Sequence, residues 1–180
     1  MIATAVAGFE THMNLLGICQ WLDSTRLNAA MRMSSWFFPT FDVIHTLGIV
    51  LVAGTIMFVD LRLLGLILRG EPVAVVVQRM VPWTLRSFAL MLVTGALLFT
   101  SEPVKLYHSP AFRLKLLFLL LAGLNALVFH TTIYRDAAHW DCAAPAPLRA
   151  RAAGLLSLAL WIAIIAAGRA IAYGSGYDLG

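Results

Sequence analysis

Four side chains that could do chemistry lie inside long apolar stretches of this sequence. They are one carboxylate, two imidazoles and one guanidinium: Asp42, His45, His130 and Arg169. Asn125 is an uncharged fifth. Polar groups are costly in hydrocarbon, and those found there usually face the interior of a helix bundle and serve a function. These residues are therefore the first candidates for a site.

The two histidines suit the binding of haem. On a helix, residues three and four apart share a face, so His130 lies beside Gly123 and Ala126, and His45 lies beside Gly48. An imidazole ligates iron, and small neighbouring residues leave room for a flat porphyrin, as in other four-helix cofactor sites. We therefore expect b-type haem bound through His45, His130 or both. Arg169 would balance its charge, or hold an anionic lipid or a quinone head group.

The histidines differ in depth. His45 comes early in the first span and His130 comes late in the third, and the first and third of four successive spans cross the membrane in the same direction. At 1.5 Å of rise per residue, the two differ by roughly 15 Å along the membrane normal. One haem bridging both histidines is therefore not expected.

A metal site is an alternative. Asp42-x-x-His45 is a carboxylate–imidazole pair that can hold copper, zinc or iron. Glu102, His108 or His12 would complete the ligand set. Copper is thus the alternative cofactor to haem.

The third possibility is that no cofactor is bound. A histidine within a membrane can simply hydrogen-bond a neighbouring helix, and Asp42 can pair with Arg169. Near the other membrane face, Asp60 and Arg86 are expected to pair across two helices. In this interpretation all of these residues are structural.

Composition places the chain in a membrane. Apolar residues make up 61% of it and charged residues only 12%, with a mean hydropathy of +0.85, whereas a soluble protein carries about 25% charged residues. Apolar stretches of roughly 20 residues are long enough to cross the hydrocarbon. They predict an all-α integral membrane four-helix bundle with spans at about 36–59, 83–100, 111–134 and 152–173.

Proline and serine mark the starts of these helices. Pro39 lies in the first turn of the first span, Pro82 is predicted to open the second, and Ser109 with Pro110 to open the third. Residues 1–35 are predicted to be an interfacial amino-terminal tail, and residues 36–180 to be the bundle. The segment 61–81 can lie along the interface or re-enter the membrane.

Several classes of function are excluded by what the sequence lacks. It has no basic tract with interleaved aromatic residues, which argues against nucleic-acid binding. It has no phosphate-binding glycine loop, no GxSxG and no HExxH motif, so no catalytic residue is assigned. With four spans, Cys19 and Cys142 fall on opposite sides of the membrane, which excludes a disulfide between them.

The distribution of arginine and lysine predicts an orientation. Residues in or near the loops after the first and third spans carry more positive charge than those on the other side once residues inside helices are set aside. We therefore expect both termini in the periplasm, with the chain in a bacterial inner membrane.

Four segments carry a resemblance to a known group of proteins. They are SWFFPTFDVIHTLGIVLVAGTIMFVDLRLLG, Pro82-Trp83, FRLKLLFLLLAGLNALVFH and GRAIAY. Together they resemble an uncharacterised family of four-helix bacterial inner-membrane proteins, in which Glu usually stands where this chain has Asp42. More remotely, the chain is similar to CopD-type and cytochrome-like membrane proteins. The resemblance draws attention to Asp42, His45, Asp60, Arg62, His130 and Arg169 without implying an activity.

These observations lead to one functional hypothesis and its alternatives. The first is a membrane subunit for electron transfer or cofactor holding, with quinone or a partner protein as the redox partner. The alternative is a non-catalytic accessory subunit that packs against other membrane subunits. The second alternative is an outward-facing copper-site protein. The lipid bilayer is a partner in all three.

Overall fold

Helices make up nearly all of the described chain. The computed structural model describes residues 15–135, 140 and 146–174. The helices found there are α1 (residues 15–23), α2 (Arg26–Met33), α3 (Phe37–Leu63), α4 (Val73–Ser101), α5 (Pro103–His108), α6 (Pro110–Val128) and α7 (Leu148–Gly174). A π-helical turn, Phe129–Ile133, continues α6 directly.

Four of these helices, α3, α4, α6 with its π turn, and α7, are long and apolar enough to cross a membrane. This confirms the predicted all-α architecture with four spans. Helix α3 packs against α4 and α7, and α6 packs against α7. Many large apolar side chains of these helices face outward, among them Val50, Leu92, Leu120 and Ile162, which suits a multi-pass protein surrounded by lipid.

Helix α3 ends in a glycine-terminated cap. Gly65 has a φ of +72°, in the left-handed region that glycine adopts without strain. The Gly65 N–H donates to the Arg62 carbonyl at 3.0 Å, and the Leu66 N–H donates to the Leu61 carbonyl at 2.9 Å. This pair of bonds is the Schellman arrangement, which satisfies the last carbonyls of a helix. The sequence LRLLG therefore fixes where α3 stops.

Helix α4 begins earlier than predicted. Its first residue is Val73, after Pro72, and Pro82 lies inside it. The prediction that Pro82 opens this helix is therefore wrong, and residues 73–81 form its first turns rather than a separate interfacial segment. Pro82 leaves the carbonyl of Gln78 without its usual helical donor, a loss that membrane helices tolerate when neighbouring groups compensate.

Helix α6 begins where predicted. Ser109 is its N-cap, with the hydroxyl oxygen accepting from the Phe112 N–H at 3.3 Å, and Pro110 occupies the first turn. The regular helix ends at Val128, and the five-residue π turn places His130 near its start. Such turns are rare and often occur at functional sites.

The amino-terminal helix α2 is attached to the end of the bundle. Thr25 caps it by accepting from the Asn28 N–H. Asn28 is buried and donates through Nδ2 to the Thr100 carbonyl at 2.9 Å, while Arg32 Nε donates to the Ser101 carbonyl at 3.2 Å. These donors satisfy carbonyls that the end of α4 leaves unpaired, and they tie the tail to the helix that ends beside it.

Candidate functional site

The polar residues of the spans fall into two groups at opposite ends of the bundle. At one end, α3 and α6 begin while α4 and α7 end; we call this the His45 end. At the other end, α3 and α6 finish while α4 and α7 begin; we call this the Asp60 end. The predicted separation of the two histidines follows this division, since His45 lies in the first third of α3 and His130 lies beyond the end of α6.

His45 is a buried histidine with partners on the neighbouring helix. Its Nδ1 lies 3.0 Å from Thr94 Oγ1 on α4, and the backbone of Met91 is within hydrogen-bonding reach of the ring. The ring lies against Gly95, where an added Cβ would stand 3.0 Å from His45 Cε1. The imidazole therefore bridges α3 and α4 and fills the space beside it.

The charges near His45 include one that the sequence did not single out. Lys115, on α6, interacts electrostatically with both Asp42 and His45. Its side chain crosses to α7 over Gly168, where an added Cβ would stand 3.7 Å from Lys115 Nζ. Asp42 and Arg169 are both exposed. Lys115 thus places a positive charge near Asp42, a neighbour that was not predicted from the sequence.

A cavity of about 210 Å³ lies in the half of the bundle toward the Asp60 end. We call it the central cavity. Its wall is mostly apolar and is built by all four spans, with Val52 and Trp161 toward mid-membrane and Leu63 and Phe129 toward the Asp60 end. The latter two belong to an apolar cluster that closes this end of the bundle.

Five polar side chains line the central cavity, and each of the four spans contributes at least one. They are Asp60 of α3, Thr84 of α4, Asn125 and His130 of the α6 segment, and Ser157 of α7. Asn125 Nδ2 donates to the Ala153 carbonyl at 3.0 Å. The Thr84 hydroxyl lies 2.9 Å from that of Thr55. These two residues thus link pairs of helices across the wall.

Asp60 is buried with one carboxyl oxygen unsatisfied. Only 5% of the residue is exposed, and Oδ2 has no hydrogen-bond partner within the described residues. Ser157 is within hydrogen-bonding reach of the carboxyl group. The predicted pairing of Asp60 with Arg86 is wrong, because the Arg86 guanidinium lies over the Trp83 ring, 5.7 Å from its centroid, on the exposed side of α4. Depth alone suggested that pair, but the helix rotation directs Arg86 away from the bundle.

His130 lines the same cavity and is exposed. Its ring contacts Phe129 and Tyr134 edge-on, with centroids 5.4 and 5.6 Å away. Throughout the part of the chain that the structure describes, neither ring nitrogen of His130 makes a hydrogen bond. His45 and His130 therefore differ in kind: one is engaged by its neighbours, and the other has unused nitrogen atoms at a cavity.

We infer from exposure and packing that the central cavity opens between α4 and α6. These two helices meet at the His45 end, where the rings of Phe99 and Phe112 stack with centroids 5.6 Å apart. Toward the Asp60 end, four lining residues are exposed: Leu85, Gly123, Ala126 and His130. A Cβ added at Gly123 would meet nothing within 4 Å. The gap between the two helices, which we call the α4–α6 seam, thus connects the cavity with the lipid-facing surface.

Arg62 is a second buried ionisable residue at the Asp60 end, outside the cavity lining. Only 1% of it is exposed. Its Nε donates to the Glu71 carbonyl at 2.8 Å, whereas Nη1 and Nη2 have no partner among residues 15–135, 140 and 146–174. The contact with Glu71 holds the loop between α3 and α4 against the end of the bundle.

The residues proposed for a copper site are dispersed. Glu102 pairs with Lys105 at 2.7 Å, and His108 stacks edge-on against Tyr107. His12 lies outside the described residues, as does Cys142, which was not one of the proposed copper ligands. Within the described ranges, no three His, Cys, Asp or Glu side chains come together as a metal site. Asp42 and His45 thus have no third such ligand beside them in this part of the chain.

The sequence identified the charged and imidazole groups but missed their hydroxyl neighbours. Thr94, Thr84 and Ser157 are small residues of a kind that occurs throughout membrane helices. Their significance depends on which helices are adjacent. Lys115 did carry a usable signal, because it interrupts the apolar run of α6 five residues after Pro110.

Comparison with known proteins gives a family and no activity. No curated protein and no solved structure matches the chain. One family model matches residues 19–174, from within α1 to the last residue of α7. The chain therefore belongs to a family of unknown function, DUF6644, which agrees with the uncharacterised family expected from its sequence.

Proposed function

We propose that this protein is a membrane subunit that holds a redox cofactor for electron transfer, with the central cavity as the cofactor site. One observation carries the proposal: His130 lines an apolar cavity between four spans, and its ring nitrogens have no partner in the described chain. Small molecules usually bind in apolar pockets that contain a few polar groups, and bundles place cofactors between their helices.

His130 is favoured over His45 as the residue that contacts the cofactor. His45 is engaged by Thr94 and packed on Gly95, whereas His130 has Gly123 and Ala126 on its own face of α6. As an axial ligand, His130 would bind the iron of a b-type haem through a ring nitrogen. With a quinone, it would instead contact a carbonyl oxygen. Arg169 lies near the other end of α7, so the proposal does not use it.

The test is to purify the full-length protein from its native membranes and to ask what is bound. Visible spectra of the oxidised and dithionite-reduced protein detect haem, organic extraction followed by chromatography detects quinone, and elemental analysis detects copper. We expect one redox cofactor per chain, lost in His130→Leu and retained in His45→Leu. A colourless, metal-free and quinone-free protein that also binds none of these groups on addition would overturn the proposal.

A second candidate function, an accessory subunit of a larger membrane complex, is favoured by the surface of the amino-terminal helices. Trp21, Leu27 and Met33 are 66%, 62% and 86% exposed, while Asn28 and Arg32 hold α2 in place. An apolar surface on an attached helix fits a partner subunit or the membrane interface. Co-purification of a stoichiometric partner in mild detergent, lost in the Leu27→Glu/Met33→Glu double variant, would support this function.

A further inference from the structure

We propose that the central cavity binds the ring of an isoprenoid quinone, with Asp60 and His130 contacting its carbonyl oxygens and the tail leaving through the α4–α6 seam. This inference rests on the proposed function, and it names the class of cofactor. It depends on three features of the cavity: its size, its unsatisfied polar atoms and its opening.

The size of the cavity favours one six-membered ring over a porphyrin. Its volume is about 210 Å³, below the roughly 300–1,000 Å³ of pockets that enclose drug-sized molecules. A porphyrin joins four pyrrole rings in one plane and would require the four spans to separate. A substituted benzoquinone or naphthoquinone ring needs far less displacement of the wall.

The polar atoms of the cavity match a molecule with carbonyl acceptors. A quinone ring is apolar apart from two carbonyl oxygens on opposite sides. The Asp60 carboxyl group, when it carries a proton, donates through O–H, and His130 donates through a ring N–H. Oδ2 of Asp60 is buried and without a partner among the described residues, while Ser157 is within reach of the same carboxyl group. Oδ2 is closed off from the empty cavity, so a small rotation of the Asp60 side chain would present this unpaired oxygen to the quinone.

The opening of the cavity suits a long apolar tail. The seam is lined on α4 by Leu85, which is 63% exposed, and on α6 by Gly123 and Ala126. Because Gly123 has no side chain and open space beside it, an isoprenoid chain can pass between the helices into the surrounding lipid. A polar metabolite enclosed in the cavity would not require such an opening to the lipid.

The first test changes the seam. The full-length protein is placed in phosphatidylcholine nanodiscs without quinone and titrated with decylubiquinone, and the saturable quenching of tryptophan fluorescence is recorded. Trp161 lines the cavity and is the expected reporter. Gly123→Leu should weaken binding at least tenfold. Gly54→Leu is the matched control, since Gly54 also has nothing within 4 Å of an added Cβ but lies outside the cavity lining; it should bind like the wild type.

The second test changes the carbonyl partners. Asp60→Leu should weaken binding about tenfold, the effect of losing one hydrogen bond in an apolar site. Asp60→Asn keeps a donor of the same shape and should bind within about threefold of wild type. His130→Leu should weaken binding by a similar factor to Asp60→Leu. Size-exclusion elution and circular dichroism establish that each variant is folded, and Asp60→Asn provides a reading even if Asp60→Leu does not fold.

The outcomes separate this inference from the proposed function. A haem spectrum that depends on His130, together with no saturable quinone binding, would overturn the quinone and leave the cofactor-holding function intact. Quenching that is identical in wild type, Gly123→Leu and Asp60→Leu would show partitioning into lipid only, which also overturns the quinone site. If neither haem nor quinone binds, both proposals are overturned.

Discussion

His45 and Asp60 lie on the same helix and are both buried, but their surroundings differ. They are 15 residues apart on α3, which is about 22 Å along the helix. His45 has a hydroxyl partner on α4 and a glycine surface against its ring. Asp60 borders a cavity and has an oxygen with no hydrogen-bond partner in the described chain. The polar atoms of the first environment are paired, whereas those of the second are incompletely paired beside a cavity.

This difference separates the polar residues that stabilise the bundle from those whose polar atoms lack a partner until a ligand binds. A buried polar atom without a partner costs about 1–3 kcal/mol, so a fold with only structural requirements would replace or pair it. Groups that destabilise the protein but are retained occur mainly at functional sites. The contrast between the His45 end and the central cavity can therefore be tested through stability alone, without knowing the ligand.

The largest effect is expected where α7 touches α3 beside the cavity. A Cβ added at Gly154 would stand 3.3 Å from the Asp60 carbonyl oxygen and 3.4 Å from Leu63 Cβ. Gly154→Leu must push two helices apart, and overpacking of this kind costs about 3 kcal/mol or more when backbone has to move. The free energy of unfolding, measured by titration with sodium dodecyl sulfate in mixed micelles, should fall by that amount.

Gly123→Leu is the matched comparison for Gly154→Leu. Both residues are glycines within membrane spans, but an added Cβ at Gly123 meets nothing within 4 Å. Its substitution should change the free energy of unfolding by less than about 1 kcal/mol, because leucine is also the better helix former. Equal losses at the two positions would mean that the α4–α6 seam is closed, which contradicts the opening described above.

A smaller effect is expected from the bond between His45 and Thr94. Thr94→Val should lower the free energy of unfolding by about 1–3 kcal/mol, since it leaves a buried ring nitrogen unsatisfied. In a double-mutant cycle with His45→Leu, the two losses should fail to add, with a coupling of about 1 kcal/mol or more. Thermal or detergent-induced unfolding followed by circular dichroism gives the three differences.

Thr131→Val controls for the loss of the hydroxyl itself. Thr94 donates to the Leu90 carbonyl and Thr131 to the Leu127 carbonyl, both one turn earlier on their own helices. Thr131 is exposed, so its substitution should change stability by less than about 0.5 kcal/mol. A cycle in which Thr94→Val and His45→Leu add without coupling would remove His45 from the structural group and restore it as a candidate ligand.

The four spans could be predicted from the sequence because length and hydropathy decide whether a helix can cross a membrane. The start of α6 followed from Ser109 and Pro110, whose capping chemistry is local. The start of α4 did not follow from Pro82. Proline suits both a first turn and the interior of a membrane helix, and only the packing of residues 73–81 onto the bundle distinguishes the two. Val73 and Val77 belong to the apolar cluster that provides this packing.

The site was harder to predict because it depends on helix rotation and order. Asp60 and Arg86 lie at similar depths, yet Arg86 faces outward over Trp83 and Asp60 faces inward toward Ser157. The separation of His45 from His130 could be predicted from the sequence, because depth along a helix follows from residue number. The gap between α4 and α6 beside His130 could not be predicted, because the pairing of helices is a property of the whole bundle.

The smallest effect, and the most informative in sign, is expected at Asp60. Asp60→Leu removes an oxygen that lacks a partner and adds apolar contact with the cavity wall. In the protein without ligand, we expect the free energy of unfolding to stay equal or to rise by about 1 kcal/mol. Ser157, which lies near the carboxyl group, can donate to a carbonyl of its own helix. Detergent unfolding of protein freed of extractable lipids measures the difference.

Asp60→Asn keeps the shape and polarity of the side chain and should leave stability within about 0.5 kcal/mol of wild type. A loss of more than about 2 kcal/mol in Asp60→Leu would instead mean that the carboxyl group is a structural partner, as His45 is. In that case the contrast between the two ends of α3 would disappear. Higher stability together with weaker quinone binding in the same variant is what a retained, incompletely paired binding group predicts, because its polarity is matched only when the ligand is present.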